Sequence, residues 1–168
     1  MSRKDNTYTH KCGITATWLD VEICFDMDGT LVDLYGVDNW LPMLEAEDPT
    51  PYMVARPMFR LSGLARRLNN LQKRGATITI ITWTAKNSTP RYQRMVATRK
   101  REWLKKHMPS VKWDRIVIIP YGTSKAAAVD RTAAILFDDD PRVREAWGDD
   151  WEMVAYPPEM ISKVLGRL

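Results

Sequence analysis

Val21-Glu22-Ile23-Cys24-Phe25-Asp26-Met27-Asp28-Gly29-Thr30 is the stretch on which the reading of this chain turns. Its first five residues form a short, mostly apolar run of the kind buried as a strand in a parallel sheet. The run stops at Asp26, and Asp28-Gly29 has the composition of a turn. Four similar runs lie downstream, at residues 76–82 (ATITIIT), 115–119 (RIVII), 133–137 (AAILF) and 152–155 (EMVA).

Helical segments separate these runs. Residues 61–74 place Leu61, Leu64, Ala65, Leu68 and Leu71 on one face and stop at Gly75, a C-terminal helix signal. The next helix opens with Ser88-Thr89-Pro90, a capping residue ahead of a proline in the first turn, and runs to about His107 before Pro109. Shorter helices are predicted over residues 125–130, 141–147 and 158–168. Apolar strands alternating with helices predict an α/β domain: a Rossmann-like, open, mainly parallel sheet covered by helices on both faces.

Two segments stand outside that alternation. Residues 1–20 are polar and without a sustained period, and read as an N-terminal extension with a short edge strand near residues 14–18. Residues 34–60 carry Pro42, Pro49, Pro51 and Pro57, several aromatics and the acidic run Glu45-Ala46-Glu47-Asp48. They predict a small helical insert after the first strand, within a core domain spanning residues 21–168. An insert there sits over the carboxyl ends of the strands, where open α/β sheets bind ligands.

Composition removes several classes. Of 168 residues, 45% are apolar and 27% charged, enough for a packed core and against wholesale disorder. No apolar run approaches the ~20 residues that cross a bilayer, and no signal-peptide pattern follows Met1. Two cysteines, Cys12 and Cys24, are too few for a disulfide framework or a four-cysteine zinc site. The expectation is a cytoplasmic domain without a membrane partner. The net charge of +4 is local: Arg91, Arg94, Arg99, Lys100, Arg101, Lys105 and Lys106 stand against Glu102 alone. Such a helix is either a solvated face or, as a second reading, a track for nucleic acid along residues 91–106.

The chemistry gathers where the predicted strands end. Asp26 and Asp28 follow the first, Thr82-Trp83-Thr84 the second, Lys125 the third and Asp138-Asp139-Asp140 the fourth. Carboxylates from Asp26, Asp28, Asp138 and Asp139 at one sheet edge repel unless a cation sits among them. An oxygen-rich set with positions left for water and phosphate oxygens describes a Mg²⁺ site. Lys125 and the Thr82 hydroxyl add a positive charge and a donor, as a bound phosphoryl group requires. A carboxylate so placed can also attack phosphorus.

Asp26-Met27-Asp28-Gly29-Thr30 after Ile23-Cys24-Phe25 resembles the first signature of the haloacid dehalogenase-like hydrolases. Thr82, Lys125 and Asp138-Asp139 fall in order where that superfamily carries its other three signatures. The resemblance covers the chain from Val21 onward. It implies that Asp26 is the nucleophile, and that Asp28 is the acid toward the leaving group and then the base for water. Thr82 and Lys125 would hold phosphate oxygens, with Trp83 and Thr84 beside them. Asp138, with Asp26 and the Asp28 backbone carbonyl, would bind Mg²⁺, and Asp139 would orient metal-bound water. An aspartate at position 28 implies phosphate-ester hydrolysis rather than dehalogenation.

Within the superfamily, the short insert and the Thr82-Trp83-Thr84-Ala85-Lys86-Asn87 loop are most similar to small nucleotidase-type phosphatases and to small bacterial and phage members. The implied substrate is a small phosphorylated molecule, with 5′-(deoxy)nucleotides foremost. The phosphatase half of polynucleotide kinases has similar signatures, which makes a nucleic-acid 3′-phosphate the alternative. A non-catalytic binding module of the same fold is a third reading, and the presence of both Asp26 and Asp28 counts against it. Three choices stay open in the residues themselves: Lys86 competes with Lys125, Thr84 with Thr82, and one of Asp139 and Asp140 can be a helix cap before Pro141. Tyr35, Trp40 and Trp83 are candidates for stacking on a substrate ring.

Overall fold

The computed structural model describes residues 21–131, 133–148 and 152–168, together with the backbone of residues 7–9 and 15–17. Two three-residue strands, β1 (Thr7–Thr9) and β2 (Thr15–Thr17), pair with each other antiparallel, apart from the main sheet. The expected strand near residues 14–18 is thus one arm of a hairpin and not an edge of the main sheet. Its flanks lie outside the described residues.

The main sheet has five parallel strands: β3 (Val21–Phe25), β6 (Thr77–Trp83), β7 (Arg115–Ile119), β8 (Ala133–Phe137) and β9 (Met153–Tyr156). Their order is β7-β6-β3-β8-β9. The chain builds outward from β3 on one side and then returns to continue on the other. Strand order therefore reverses between β3 and β8, and a crevice opens there at the carboxyl ends. Register fixes what faces it. Phe25 pairs with Ile80 and Phe137, so Asp26, Thr82 and Asp138 emerge at nearly one level.

Alternation along β3 splits the core in two. Val21, Ile23 and Phe25 point to a layer shared with Ile78, Ile80, Ile135 and Phe137, and Phe25 stacks on Phe137 at 5.1 Å between ring centroids. Helix α3 (Leu61–Lys73) buries Leu61, Leu64, Ala65, Leu68 and Leu71 in this layer. Deleting the Leu68 side chain to alanine would cost about 2–5 kcal/mol, since the residue is fully buried. Cys24 faces the opposite layer with Ile81, Ala134, Leu136, Val143 and Trp147, the last two from α5 (Pro141–Trp147).

Glu22, also on that second face, is fully buried yet fully partnered. Its Oε1 accepts from Thr79 Oγ1 at 2.5 Å and Arg115 Nη1 at 2.8 Å, and its Oε2 from the Asp130 amide at 2.9 Å. A charged residue inside an apolar run survives because the adjacent strand β6 supplies a hydroxyl and β7, one strand further out, a guanidinium.

The predicted boundaries shift little elsewhere. The long basic helix is α4 (Pro90–His107), with the Thr89 side chain accepting from the Tyr92 amide at its start. Residues 125–130 contain one 3₁₀ turn, Ala126–Ala128, in place of a helix. Residues 158–168 divide into a 3₁₀ turn, Pro158–Met160, and α6 (Ile161–Leu165). The insert forms α1 (Trp40–Glu45) and α2 (Thr50–Val54), closed at its base by a two-residue ladder between β4 (Val32–Asp33) and β5 (Arg56–Pro57). It is pinned to α4: Trp103 Nε1 donates to the Ala55 carbonyl, Tyr92 Oη to the Asp48 carbonyl, and Glu47 accepts from the Thr89 amide and hydroxyl. Among the described residues no helix is long and apolar enough to cross a membrane.

Candidate active site

Four strand ends and the insert enclose a cleft of about 760 Å³, within the ~300–1,000 Å³ of small-molecule sites. Asp26, Asp28, Thr82, Lys125, Asp138 and Asp139 all line it, as do Trp83, Thr84 and the competing Lys86.

Turn geometry after β3 sets the first two acids. Asp26 extends the strand, its amide donating to the Phe137 carbonyl at 2.9 Å. The chain then turns at Met27, whose carbonyl accepts from the amides of Thr30, Leu31 and Val32. Gly29 sits at φ +73, in the left-handed region. A Cβ there would overlap the Asp139 carboxylate and approach the Tyr35 ring to 2.7 Å. Glycine is therefore required twice over, by conformation and by the close approach of the loop to Asp139.

Lys125 is the hub of the first cluster. Its Nζ donates to Asp26 Oδ1 at 2.7 Å and to Asp138 Oδ2 at 2.6 Å, and it lies 4.7 Å from the Trp83 ring centroid. All three polar groups are buried. Burial alone would pull the ammonium down, but the charges of Asp26 and Asp138 outweigh it and hold Lys125 above its ordinary value. Lys86 is exposed at the rim, its Nζ 5.7 Å from the Tyr121 ring centroid. Between these two lysines it is Lys125 that meets the acids.

Asp26, Asp138 and Asp139 each present an oxygen within 4.8 Å of the others. Burial pushes Asp138 up to about 6, with the charge of Asp26 adding and Lys125 opposing. Asp139 is pushed up to about 7, first by burial and then by Asp26 and Asp138. Hard carboxylate oxygens that repel one another in a cleft are a donor set that fits a divalent ion such as Mg²⁺. Asp140 takes the capping role: its Oδ1 accepts from the Arg142 amide at 2.9 Å at the start of α5.

Asp28 lies apart from that cluster. Its Oδ2 accepts from Lys100 Nζ at 2.6 Å, while its Oδ1 is buried without a hydrogen-bond partner. Burial raises the Asp28 carboxyl, Lys100 opposes, and Asp26 adds to the rise. Thr82 Oγ1 accepts from the same ammonium at 2.8 Å, whereas Thr84 Oγ1 is buried and unpartnered.

Lys100 corrects the reading of α4. It belongs to the basic run but is 1% exposed, with its ammonium held against the cleft residues Asp28 and Thr82. The signal for it is periodicity: Tyr92, Val96, Lys100, Trp103 and Leu104 form the buried face of the helix. Arg91, Arg94, Arg101, Lys105 and Lys106 remain exposed. Arg144 is a second residue the motifs did not point to. Its Nη1 donates to the carbonyls of Asp138 and Asp139 at 2.8 Å each and so fixes the peptide that presents both acids.

Aromatic side chains rim the cleft in two pairs, Tyr35 with Trp40 and Trp83 with Tyr121, at centroid distances of 5.0 and 4.8 Å. Trp83 is tied by its Nε1 to the Thr123 carbonyl.

A scan of protein-family models finds no match to this chain, and a search of curated proteins finds none. Among solved structures the chain is similar to D,D-heptose 1.7-bisphosphate phosphatase from B. bronchiseptica, complexed with magnesium and phosphate. The TM-score is 0.50 and the identity 11%, over 88% of this chain and 99% of that one. It is also similar to a protein described as a haloacid dehalogenase-like hydrolase from Burkholderia xenovorans LB400, with TM-score 0.42 and 16% identity over 87% and 97% of the two chains. The first likeness establishes the fold, which is the one the motif resemblance to the haloacid dehalogenase-like hydrolases implied.

Proposed function

We propose that this protein is a Mg²⁺-dependent phosphomonoester hydrolase that works through an aspartyl-phosphate on Asp26. The observation that carries the reading is the buried contact of Asp26 with Lys125, beside Asp138 and Asp139 and across the cleft wall from Asp28 and Thr82. That arrangement supplies a nucleophile, charge neutralisation and an acid in one pocket. The neighbour of like fold is complexed with magnesium and phosphate.

In this reading Lys125 holds the Asp26 carboxylate in place and screens its charge from an approaching phosphoryl group. An Asp26 oxygen attacks phosphorus as the ester P–O bond breaks. The departing oxygen takes the proton of the Asp28 carboxyl, giving an alcohol, the aspartyl-phosphate and an Asp28 carboxylate. Water then attacks phosphorus and gives its proton to Asp28, and the acyl-phosphate bond breaks to restore Asp26 and release phosphate. Asp26, Asp138 and Asp139 would hold Mg²⁺ with the Asp28 carbonyl, and the ion supplies charge neutralisation for the phosphoryl oxygens.

The two aromatic pairs favour a substrate with a flat ring, and 5′-(deoxy)nucleotides fit a cleft of this size. The low cysteine content, two in 168 residues, supports a cytoplasmic setting. A second reading, a nucleic-acid 3′-phosphate, is favoured by Arg91 and Arg94, exposed in the first turns of α4 next to the cleft residues Lys86, Asn87 and Ser88.

A panel of nucleoside monophosphates, sugar phosphates and 3′-phosphorylated oligonucleotides, assayed with Mg²⁺ and then with chelator, tests the proposal. Turnover of a mononucleotide that stops on chelation is expected. Failure to release phosphate from every ester overturns it, and turnover confined to the oligonucleotide, falling steeply with salt, transfers the assignment to the second reading.

A further inference from the structure

Lys100 is a charged side chain inside the buried face of an otherwise amphipathic helix, which is costly unless its charge has work in place. A lysine ammonium has three N–H donors and no acceptor. Here each is committed: one to Asp28 Oδ2 at 2.6 Å, one to Thr82 Oγ1 at 2.8 Å and one to the Trp83 carbonyl at 2.8 Å. Lys100 has no donor left for a substrate. Its effect must pass through the groups it holds.

Two consequences follow from the direction of these bonds. Because Oδ2 of Asp28 accepts from a group that cannot accept in return, a proton on that carboxyl belongs on Oδ1. Oδ1 is the oxygen left buried and unpartnered, on a residue that lines the cleft. Thr82 Oγ1, in the same way, accepts from Lys100, so its own hydroxyl hydrogen is free to be donated to an oxygen in the cleft it lines. The Trp83 carbonyl anchors the ammonium to the strand end, so both orientations are referred to β6.

We infer that Lys100 is a positioning residue that sets the acid and the phosphate-binding hydroxyl together: it directs the Asp28 proton to Oδ1 and turns the Thr82 hydroxyl outward as a donor. The inference rests on the phosphatase reading above and assigns the lysine a part that the four motifs leave unfilled. During the reaction Lys100 keeps its three protons throughout. The proton that reaches the leaving oxygen comes from Asp28 Oδ1, and the same oxygen receives one from water in the second step.

The leaving group separates this role from a structural one. p-Nitrophenolate departs without a proton, whereas the alkoxide of glycerol 2-phosphate needs one. With Mg²⁺ present, kcat/KM covers binding through the first irreversible step, the transfer to Asp26. Lys100→Met should lose roughly 10²-fold or more in kcat/KM on glycerol 2-phosphate and less than about tenfold on p-nitrophenyl phosphate. Lys100→Arg keeps the charge but spreads its donors in a planar fork, and should show the same inequality with smaller losses. It serves alone if Lys100→Met does not fold. Equal proportional losses on the two esters, or no loss, overturn the inference while leaving the phosphatase reading intact. A wild-type protein inert toward both esters overturns that reading and this inference with it.

Discussion

Two buried acid networks lie on strand β3, and they are built on opposite terms. Toward its amino end, Glu22 spends both oxygens on Thr79, Arg115 and the Asp130 amide, and Arg115 also donates to the Ala128 carbonyl. Beyond the carboxyl end, Asp26, Asp28, Asp138 and Asp139 face Lys100 and Lys125, leaving negative charge in excess, an Asp28 oxygen without a partner and two carboxyls pushed up to about 6 and 7. The first network is complete in itself and contributes to the fold. The second becomes complete only with something added, and that incompleteness marks it as a site.

The widest separation between them should come from one neutralising substitution in each. Asp26→Asn removes the nucleophile and one unbalanced charge, so phosphate release should fall at least about 10³-fold while the metal-free melting temperature holds or rises. Retained turnover would place the nucleophile elsewhere. Glu22→Ala takes the acceptor from the buried Thr79 hydroxyl and from the Asp130 amide and removes one of Arg115's two carboxylate partners, Asp130 keeping the other. It should cost about 1–3 kcal/mol in urea unfolding, with activity per folded molecule within about tenfold of wild type. A stability loss at Asp26 as large as that at Glu22 would erase the contrast.

A pH series sharpens it further. Asp138 and Asp139 have folded-state values above their ordinary ones, so the stability they contribute is full below about pH 4 and is lost as pH rises through 6 and 7. In chelator the melting temperature should therefore fall between pH 5 and pH 8, and Mg²⁺ should restore more of it at the higher pH. Asp139→Asn should flatten the trend. An equal Mg²⁺ effect at both ends of the range would mean that the ion does not meet these carboxylates. The smallest effect is expected on the outer face of α4. Reversing Arg94 and Arg101 to glutamate should change mononucleotide turnover by less than about threefold, whereas a large loss confined to oligonucleotides would support the nucleic-acid reading.

What could be read from the residues follows the same division. The strands are legible because each is an apolar run ended by an acid, a threonine or a turn, as at Phe25-Asp26 and Phe137-Asp138. The acids at those ends are legible because charge at the end of a buried strand needs a reason. Glu22 and Lys100 were harder. One lies inside an apolar run and the other inside a basic one, and each is decided by a partner from a distant strand or loop, Arg115 in one case and Asp28 in the other. The helical period of Tyr92, Val96 and Lys100 did hold the clue, but seven basic residues within one stretch masked it. Asp139 and Asp140 could not be told apart by type. The Arg142 amide selects Asp140 as the cap, and the fold of the Gly29 loop brings Asp139 inward.

Rapid acid quench of the protein during turnover of a phosphomonoester with Mg²⁺, followed by peptide mapping, addresses the covalent step itself. A phosphoryl group on the side chain of Asp26, appearing before free phosphate and absent from Asp26→Asn, is the predicted result. Phosphoryl label on any other side chain, or steady phosphate release with Asp26 unlabelled at every time point, would contradict the account.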